Sequence, residues 1–409
     1  MSFSLAELIQ ARQADQYDLH MKYISPHMAR VQQIIGFDKI YTRGEGAYLW
    51  DADGNRYLDL LAGYSVFNLG RDHPVVRQAM LDYLNLNRPT LVKMDCPLLA
   101  GLLAEELVKR MTPGLDAIFF ANSGADAVDT AIKFARYATK RPRVLYLDHS
   151  FHGLTLGTLS VNGGEAFKKG FDPLIPATTM VAMNDLPGLE KELRKGDVAA
   201  FIVEPIQGKG VYIPNDNYLP EAQRLCRKYG AQFICDEVQV GLGRAGKFLC
   251  CEHWNLEPDM VTIAKSLGGG YVPVSAVIMR REINNKVFGH LKRAQVHSTT
   301  FGQNDMGMAA GLATLRVIDG EKIVERSATV GAKLLAKLSA LKDRHEMIAD
   351  VRGRGLMIGA DLDVPAADVV NAGYRHGLLL VNAGPNTLRL IPPLVITREE
   401  IDLLIERLT

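Results

Sequence analysis

The stretch FICDEVQ, residues 233–239, is an apolar run of strand character that ends in two carboxylates, Asp236 and Glu237. A second apolar run ends in Lys265, which is followed by three glycines at 268–270. Ligand sites in open α/β sheets lie at the carboxyl ends of the strands. We therefore expect the carboxylate of Asp236 and the amine of Lys265 to face one crevice at the edge of a sheet.

An acid and an amine placed in this way suit pyridoxal phosphate (PLP) as a cofactor. A lysine can form a Schiff base with the aldehyde of PLP, and an acid can keep the pyridine nitrogen protonated so that the ring withdraws electrons. Each residue alone has an ordinary explanation, Asp236 as a helix cap after a strand and Lys265 as a solvated surface amine. Taken together with the motifs below, the two favour the cofactor.

Length and composition indicate a globular protein of two domains. At 409 residues the chain exceeds the roughly 250–300 residues at which a single core stops growing. A net charge of +1 gives no electrostatic case for nucleic acid or a membrane as partner. Five cysteines without paired spacing argue against a disulfide framework or a zinc site. With no signal-peptide pattern at the start, we expect a cytoplasmic protein with small-molecule partners.

Strand-like runs alternate with helical stretches from about residue 75 to 300, which predicts an α/β fold with a largely parallel sheet. The runs are 117–120, 144–147, 179–183, 199–203, 232–235, 260–263 and 274–279. Beyond residue 305, a helix-prone segment and glycine-interrupted strands predict a smaller α+β domain. We therefore expect an N-terminal arm and part of the small domain over 1–75, a large domain over 76–304, and the rest of the small domain over 305–409.

The first 75 residues contain three local patterns. Ser4, with Glu7 three residues later, is a capping pattern that predicts a helix in the N-terminal arm. Two aromatic-bearing stretches around Asp53 and Gly54 predict a β-hairpin, because glycine accepts the positive φ that the turn needs. Tyr64 lies in a glycine-bounded loop, where it either reaches a ligand or packs as a half-buried residue.

The turn after the run at 117–120 is typical of an anion site. Ser123, Gly124 and Ala125 open a helix, and the free backbone N–H groups and the dipole at its N-terminus favour a phosphate there. Many helices begin with Ser-Gly and bind nothing. The turn is therefore a candidate phosphate site only in combination with the other motifs.

Four more side chains follow strand-like runs or interrupt one. Phe151 is placed to stack on a flat ring, with core packing as the alternative, and His152 beside it is otherwise an ordinary loop histidine. Glu204 ends another strand. Arg389 lies among apolar residues, where an unpaired charge is costly, so it requires an anion. Glu204 is the expected partner at rest, and a substrate carboxylate the expected partner during the reaction.

One segment mimics a nucleotide site. The stretch GLGRAGK, residues 241–247, has the glycine and lysine spacing of a P-loop, but Phe248 stands where the magnesium-binding serine or threonine must be. Residues 353–359 likewise miss the glycine spacing of a dinucleotide fold. We expect no nucleotide at either segment.

Together these motifs resemble the class III PLP-dependent aminotransferases over nearly the whole chain. The matching pieces are 48–51 with Gly54, 122–124, 151–153, 204–208, 236–239, Lys265 with 268–270, 297–302 and 389–393. The resemblance implies a fold-type I enzyme whose large domain has a mostly parallel seven-stranded sheet. It also implies a ping-pong transfer of an amino group and a homodimer with shared active sites.

The resemblance also assigns roles to residues. Lys265 is similar to the lysine that holds the cofactor and moves the proton, and Asp236 to the acid beside the pyridine nitrogen. The other cofactor-binding residues that it implies are Ser123, Gly124, Ala125, Phe151, His152, Glu204, Val238, Gln239 and Thr300. Among them, Phe151 and Val238 resemble the two covers of the ring, and Thr300 resembles a residue given to the neighbouring subunit. The substrate-binding residues that it implies are Tyr64, Leu154, Glu204 and Arg389.

Leu154 sets the expectation for the substrate. Many relatives have an arginine at this position that binds a distal carboxylate, and charge-assisted hydrogen bonds of that kind contribute roughly 1.5–3 kcal/mol. We therefore expect an amine without a distal carboxylate, either a diamine or a lipophilic amine. Arg389 and Glu204 resemble a pair that opens for a 2-oxo acid, so the expected acceptor is 2-oxoglutarate or pyruvate.

Three alternatives stay open at this point. An amino-acid ω-aminotransferase of the ornithine or acetylornithine type would use the same lysine and acid. A PLP aminomutase or a decarboxylating transaminase would also use them. A non-catalytic dimer is disfavoured, because Lys265, Asp236 and Gln239 are all intact.

Overall fold

A seven-stranded sheet forms the centre of the molecule. The structure, a computed structural model, describes residues 3–34, 37–90, 92 and 94–409; residues 1, 2, 35, 36, 91 and 93, the first four of which belong to the predicted segment 1–75, lie outside the described part. The strands are β1 (Tyr41–Glu45), β2 (Tyr48–Asp51), β3 (Arg56–Asp59), β4 (Leu115–Ala121), β5 (Arg143–Leu147), β6 (Thr178–Val181), β7 (Val198–Val203), β8 (Gln232–Asp236), β9 (Met260–Ile263), β10 (Ser275–Arg280), β11 (Ile348–Arg354), β12 (Met357–Leu362), β13 (Leu378–Leu379), β14 (Val381–Asn382) and β15 (Thr387–Leu390).

Helices cover the sheet and fill the remaining layers. They are α1 (Leu5–Arg12), α2 (Gln16–Tyr23), α3 (Pro26–Ile34), α4 (Ala62–Ser65), α5 (Pro74–Asn85), α6 (Leu98–Val108), α7 (Gly124–Thr139), α8 (Leu156–Ser160), α9 (Glu165–Lys168), α10 (Leu186–Leu193), α11 (Tyr218–Tyr229), α12 (Arg281–Phe288), α13 (Asp305–Gly320), α14 (Ile323–Lys342), α15 (Ala366–Arg375) and α16 (Arg398–Leu408). Short 3-10 helices occur at Gln13–Asp15, Cys250–Trp254, Lys265–Gly268 and Leu291–Arg293.

The central sheet has the strand order β4-β10-β9-β8-β7-β5-β6. All seven predicted runs form its strands, and the pairs from β6 to β9 are parallel, so the predicted sheet is confirmed. Strand β10 is the exception, because it pairs antiparallel with both β4 and β9. Every residue of β7 is buried, as expected for a strand with both faces covered. The carboxyl ends of β5, β7, β8 and β9 therefore meet at one edge.

Two smaller sheets lie beside the central one, with the orders β1-β2-β3-β13 and β11-β12-β15-β14. The predicted hairpin is confirmed: β2 and β3 are antiparallel, and Gly54 in the turn has a φ of 83°. Strand β13 near the C-terminus pairs in parallel with β3, with Leu378 opposite Leu58. On this pairing we propose that segments 1–75 and 305–409 form one smaller domain beside the large domain 76–304.

The described residues can also be compared with the requirements of a membrane span, a metal site and a disulfide. None of their helices combines the length and the apolar character that crossing a membrane requires. The same residues contain no cluster of three histidine, cysteine, aspartate or glutamate side chains able to hold a metal ion. All five cysteines carry free thiols, and four of them are buried.

Candidate active site

Strands β7, β8 and β9 bring three charged side chains to one edge of the central sheet. Glu204 follows β7, Asp236 ends β8, and Lys265 comes two residues after β9. The parallel register aligns these ends, since Asp236 lies opposite Thr262 of β9. The charges of Asp236 and Glu204 act on the amine of Lys265 and partly offset the effect of burial on its pKa. The predicted acid and amine therefore meet in one region.

The carboxylate of Asp236 is buried and held in a fixed orientation. Its Oδ1 accepts hydrogen bonds from the Val238 backbone N–H and from Thr262 Oγ1, each at 3.1 Å. Its Oδ2 accepts one from His152 Nδ1 at 2.7 Å. Charge-assisted bonds of this length are strong, so the acid cannot rotate freely. A pyridine nitrogen in front of it would meet a pre-oriented carboxylate.

His152 lies against Asp236 and is not an ordinary loop histidine. Burial alone lowers the pKa of His152, but its hydrogen bond to Asp236 and the charges of Asp236 and Glu204 raise that pKa above its usual value. Its Nε2 atom is buried and has no partner among the described residues. The backbone N–H of His152 is anchored to Asn162 Oδ1 at 2.7 Å. In this arrangement His152 orients the acid.

Lys265 stands in an unusual backbone conformation and an unusual electrostatic environment. Its φ is 48°, a left-handed value that side-chain-bearing residues seldom adopt and that often marks functional sites. Burial lowers the pKa of its amine to about 8, and the positive charge of Arg389 acts in the same direction. A larger neutral fraction makes the amine a better nucleophile near neutral pH.

The turn before α7 packs directly against the loops that carry the acid and the lysine. The Ser123 hydroxyl caps the helix by accepting from the Asp126 N–H at 3.1 Å. A Cβ on Gly124 would lie 2.7 Å from Val238 Cγ1 and 3.6 Å from Ala264 Cβ, so only glycine fits there. As the first residues of a helix, Gly124 and Ala125 have N–H groups without partners inside the helix. The predicted anion site therefore adjoins the acid and the amine.

These features fit PLP. A lysine amine, a pre-oriented carboxylate and a helix N-terminus converge, which are the three groups that a cationic pyridine with an aldehyde and a phosphate requires. Phe151 is placed beside them, with its backbone N–H bound to Glu204 Oε1 at 2.9 Å and its ring centre 5.4 Å from that of Phe167. Val238 faces Gly124 on another side. The site therefore offers an acid, a cation and apolar side chains on different sides of the space that PLP would fill.

The expected ion pair between Glu204 and Arg389 is not formed, and that prediction was wrong. Glu204 accepts instead from the backbone N–H groups of Phe151 at 2.9 Å and Gly208 at 2.8 Å. Arg389 Nη1 donates to the Gly208 carbonyl oxygen, and the guanidinium lies 5.2 Å from the centre of the Tyr64 ring. Backbone donors satisfy the glutamate, so the two side chains share Gly208 as a hydrogen-bonded neighbour and otherwise interact only through their charges.

The remaining predicted residues are partly or largely exposed; they are Gln239, Tyr64, Leu154 and Thr300. Gln239 Nε2 donates to the Tyr64 carbonyl at 3.3 Å, and Tyr64 is 47% exposed. Leu154 is 58% exposed. Thr300 is exposed and lines a cavity of about 800 Å³ together with Phe120 and other residues. Within the described part of one chain, no hydrogen bond joins Thr300 to Lys265 or Asp236.

Sequence reasoning missed two residues that brace the site. Arg244 is fully buried and donates to Asn68 Oδ1 at 2.6 Å and to the carbonyl oxygens of Leu356 and Pro392. Burial lowers the pKa of Arg244 to about 9. Asn68 Nδ2 in turn donates to Ser266 Oγ at 3.1 Å. The available signal is a charged residue in the glycine-rich stretch 241–247, whose spacing otherwise resembles a P-loop.

Comparison with known proteins gives a consistent picture. The model of the class-III aminotransferase family matches residues 30–409. Acetylornithine aminotransferase of Bacillus anthracis is 38% identical over 365 residues, which are 88% of this chain and 92% of that protein. Aminotransferase PigE of a Serratia species is 35% identical over 364 residues, which are 88% of this chain but 43% of that longer protein.

Solved structures agree with the sequence matches. Ornithine aminotransferase of Toxoplasma gondii has a TM-score of 0.91 and 29% identity, covering 100% of this chain and 97% of that chain. An amine transaminase of an uncultivated Pseudomonas species, solved in a PLP-bound form, has a TM-score of 0.81 and 29% identity, covering 90% and 93%. The chain therefore belongs to the class III aminotransferases, which are PLP-dependent enzymes of fold type I.

Proposed function

We propose that this aminotransferase moves an amino group between a primary amine without a distal carboxylate, a diamine or a lipophilic amine, and a 2-oxo acid, either 2-oxoglutarate or pyruvate. One observation supports this choice above others: the exposed side chain at position 154 is a leucine, where a distal carboxylate would need a cation. The amine transaminase among the similar structures is consistent with such a donor.

In this proposal each residue of the site has a physical task. PLP, when bound, supplies an electron sink that makes the proton on the amine-bearing carbon removable. Lys265 Nζ holds the cofactor before the reaction and carries that proton during it. Asp236, oriented by His152, keeps a positive charge on the pyridine nitrogen, and the N-terminus of α7 with Ser123 binds the phosphate. Phe151 and Val238 exclude water from the ring faces.

The 2-oxo acid would be bound through Arg389. A guanidinium has five N–H donors in a planar fork, and Arg389 uses one of them on the Gly208 carbonyl. Its Nε has no partner among the described residues. A carboxylate can take the remaining donors in a bidentate manner.

A second candidate function is transfer from ornithine or acetylornithine. The names of similar proteins, among them the acetylornithine aminotransferase at 38% identity, favour it. It requires a cation for the distal carboxylate, and Leu154 supplies none. A substrate comparison therefore separates the two candidates.

The test uses the purified enzyme, putrescine and hexylamine against ornithine and 4-aminobutyrate, with 2-oxo acid acceptors and product analysis. We expect the first pair to react at least tenfold faster, and Leu154→Arg to raise the activity on the second pair at least tenfold. Leu156→Arg is the matched control, because Leu156 is equally exposed at 58%. No gain in Leu154→Arg would remove the reason for excluding distal carboxylates, and an amino group that stays on its own carbon skeleton would indicate an aminomutase.

We further propose that the protein is a homodimer whose two chains share their active sites, and that it is cytoplasmic. Thr300 is exposed and, within the described part of its own chain, makes no hydrogen bond to the other proposed cofactor residues, as we expect of a residue given to a second copy. The predicted N-terminal helix is present, with Ser4 as its cap, but helices α1 and α2 contain no buried residue. Their exposed apolar side chains include Leu5, Leu8, Ile9 and Tyr23. Mass in solution tests the dimer, and the five free thiols accord with a reducing compartment.

A further inference from the structure

Arg244 is buried at a junction of four chain segments. It comes from a loop of the large domain, donates to Asn68 near the N-terminus, and donates to the Leu356 and Pro392 carbonyls near the C-terminus. Its own carbonyl accepts from the Leu356 N–H at 3.0 Å and from Ser327 Oγ at 3.1 Å. One side chain and one peptide group therefore join the parts of the chain that surround the active site.

Two of these segments carry residues of the proposed reaction. Asn68 passes the contact on to Ser266 Oγ, and Ser266 follows Lys265 directly. Pro392 lies three residues after Arg389. Arg244 thus connects, through one intermediate side chain, the loop that presents the amine with the strand end that presents the guanidinium.

Burying a cation without a carboxylate is unfavourable, and the lowered pKa of Arg244 reflects that cost. An apolar side chain of similar size would avoid the cost but could not donate to three acceptors on three segments. Lysine has three donors on one nitrogen and lacks the planar fork that reaches separated acceptors. The packing around the junction is also tight, because a Cβ on Gly355 would lie 2.4 Å from backbone atoms of Ala245 and Gly246.

We propose that Arg244 is a positioning residue that holds the carboxylate-binding Arg389 at the correct distance from Lys265. This rests on the roles of Lys265 and Arg389 in the proposed function. The consequence is specific to one half-reaction. The reaction of a carboxylate-free amine needs Lys265 but not Arg389. The reaction of a 2-oxo acid needs both residues at the correct distance from each other.

The test measures the two half-reactions separately with the PLP-loaded enzyme. The visible absorbance of the bound cofactor reports the reaction with hexylamine, and its return reports the reaction with pyruvate. In Arg244→Lys we expect the apparent KM for pyruvate to rise at least tenfold, while the rate with hexylamine stays within threefold of wild type. Asn68→Ala, which breaks the link to Ser266, is a second variant in case Arg244→Lys does not fold, and we expect the same pattern in it.

Arg143→Met provides a matched control. Arg143 is also a buried arginine, 7% exposed, but it binds Asp197 and Glu192 in the large domain. It should lower the melting temperature and leave both half-reactions unchanged. Equal losses in the two half-reactions of Arg244→Lys, or a fall in melting temperature alone, would overturn the proposal. Should Arg389→Met leave the KM for pyruvate unchanged, the proposed function of Arg389 would be at fault instead.

Discussion

Two arginines bind the same short segment, residues 208–211, and differ in what else they touch. Arg389 and Arg352 each donate to backbone carbonyl oxygens of this segment. Each also lies over a tyrosine ring, 5.2 Å from the centre of Tyr64 for Arg389 and 5.3 Å from the centre of Tyr212 for Arg352. Up to this point the two environments are nearly equivalent.

The carboxylates make the difference. Arg352 pairs with Asp361 at 2.7 Å and with Asp350 at 2.9 Å. Burial alone lowers the pKa of Arg352, but these two partners raise it above its usual value. Arg389 forms no ion pair among the described residues, and burial lowers its pKa below the usual value although the charge of Glu204 acts in the opposite direction. A satisfied guanidinium stabilises the fold, whereas an unsatisfied one at an active site is available to a ligand.

Arg244 shows that a missing carboxylate is not sufficient to mark a binding residue. It also lacks an acidic partner, and its Nε, like that of Arg389, has no partner among the described residues. Its two terminal nitrogens donate to Asn68 and two carbonyl groups, and the side chain is fully buried. Arg389 is itself 7% exposed and lies beside Tyr64, which is 47% exposed. Exposure, and not unused donors alone, therefore distinguishes Arg389, the arginine that we propose to bind the 2-oxo acid.

The largest expected effect comes from Arg389→Met. Loss of a bidentate, charge-assisted contact should lower kcat/KM for the 2-oxo acid about 100-fold, since contacts of this kind contribute roughly 1.5–3 kcal/mol. The melting temperature should change little, because no internal ion pair is lost. Steady-state kinetics with pyruvate and 2-oxoglutarate check this. A variant that kept wild-type kcat/KM would show that the two arginines do not differ in the way proposed.

Arg352→Met should show the reverse pattern. It leaves Asp361 without its ion-pair partner and releases two carbonyl groups, which we expect to cost about 1–3 kcal/mol of folding free energy. A drop of a few degrees in melting temperature, measured by calorimetry, would follow. Activity should stay within about threefold of wild type. A large rise in KM with unchanged stability would contradict the structural role of Arg352.

The stability of the cofactor-free protein should depend on pH through the amine of Lys265. The amine of Lys265 has a pKa of about 8 in the folded chain against 10.5 ordinarily, so between these values the unfolded chain binds more protons. The free energy of unfolding of cofactor-free protein should therefore rise with pH across this window. Because the charge of Arg389 contributes to the lowered pKa, Arg389→Met should raise that pKa and flatten the rise, while Arg352→Met should not.

Denaturant titrations at several pH values, each repeated with Lys265→Met, isolate the contribution of the lysine. In the Lys265→Met background the rise assigned to this group should vanish. An equal slope in the Arg389→Met and Arg352→Met variants would mean that the charge of Arg389 does not reach the amine.

The smallest effect is expected at Tyr64 and Tyr212, whose rings lie against Arg389 and Arg352. Tyr64→Leu removes a cation–π contact that contributes about 0.5–2 kcal/mol, so the KM for the 2-oxo acid should change by a few-fold. Tyr64→Phe keeps the ring and should behave as wild type. Tyr212→Leu, the counterpart over Arg352, should leave the KM unchanged. Identical kinetics in Tyr64→Leu and Tyr212→Leu would remove Tyr64 from the site.

The sequence by itself determined the fold class and the central chemistry. Strand periodicity, helix starts and the acid and amine at strand ends are local features, and the carboxyl ends of neighbouring parallel strands meet at one edge whatever the details of packing. The seven predicted strands and the hairpin at Gly54 follow from these local features. The meeting of Asp236 with Lys265 follows from the alignment of the strand ends.

Only the tertiary structure decided which groups pair. Glu204 and Arg389 are far apart in the chain, and the nearby backbone N–H groups of Phe151 and Gly208 satisfied the glutamate first. The junction at Arg244 likewise depends on acceptors from distant segments. Differences of about an ångström decide which hydrogen-bond partner a group takes. The spacing of residues along the sequence does not determine such distances between remote segments.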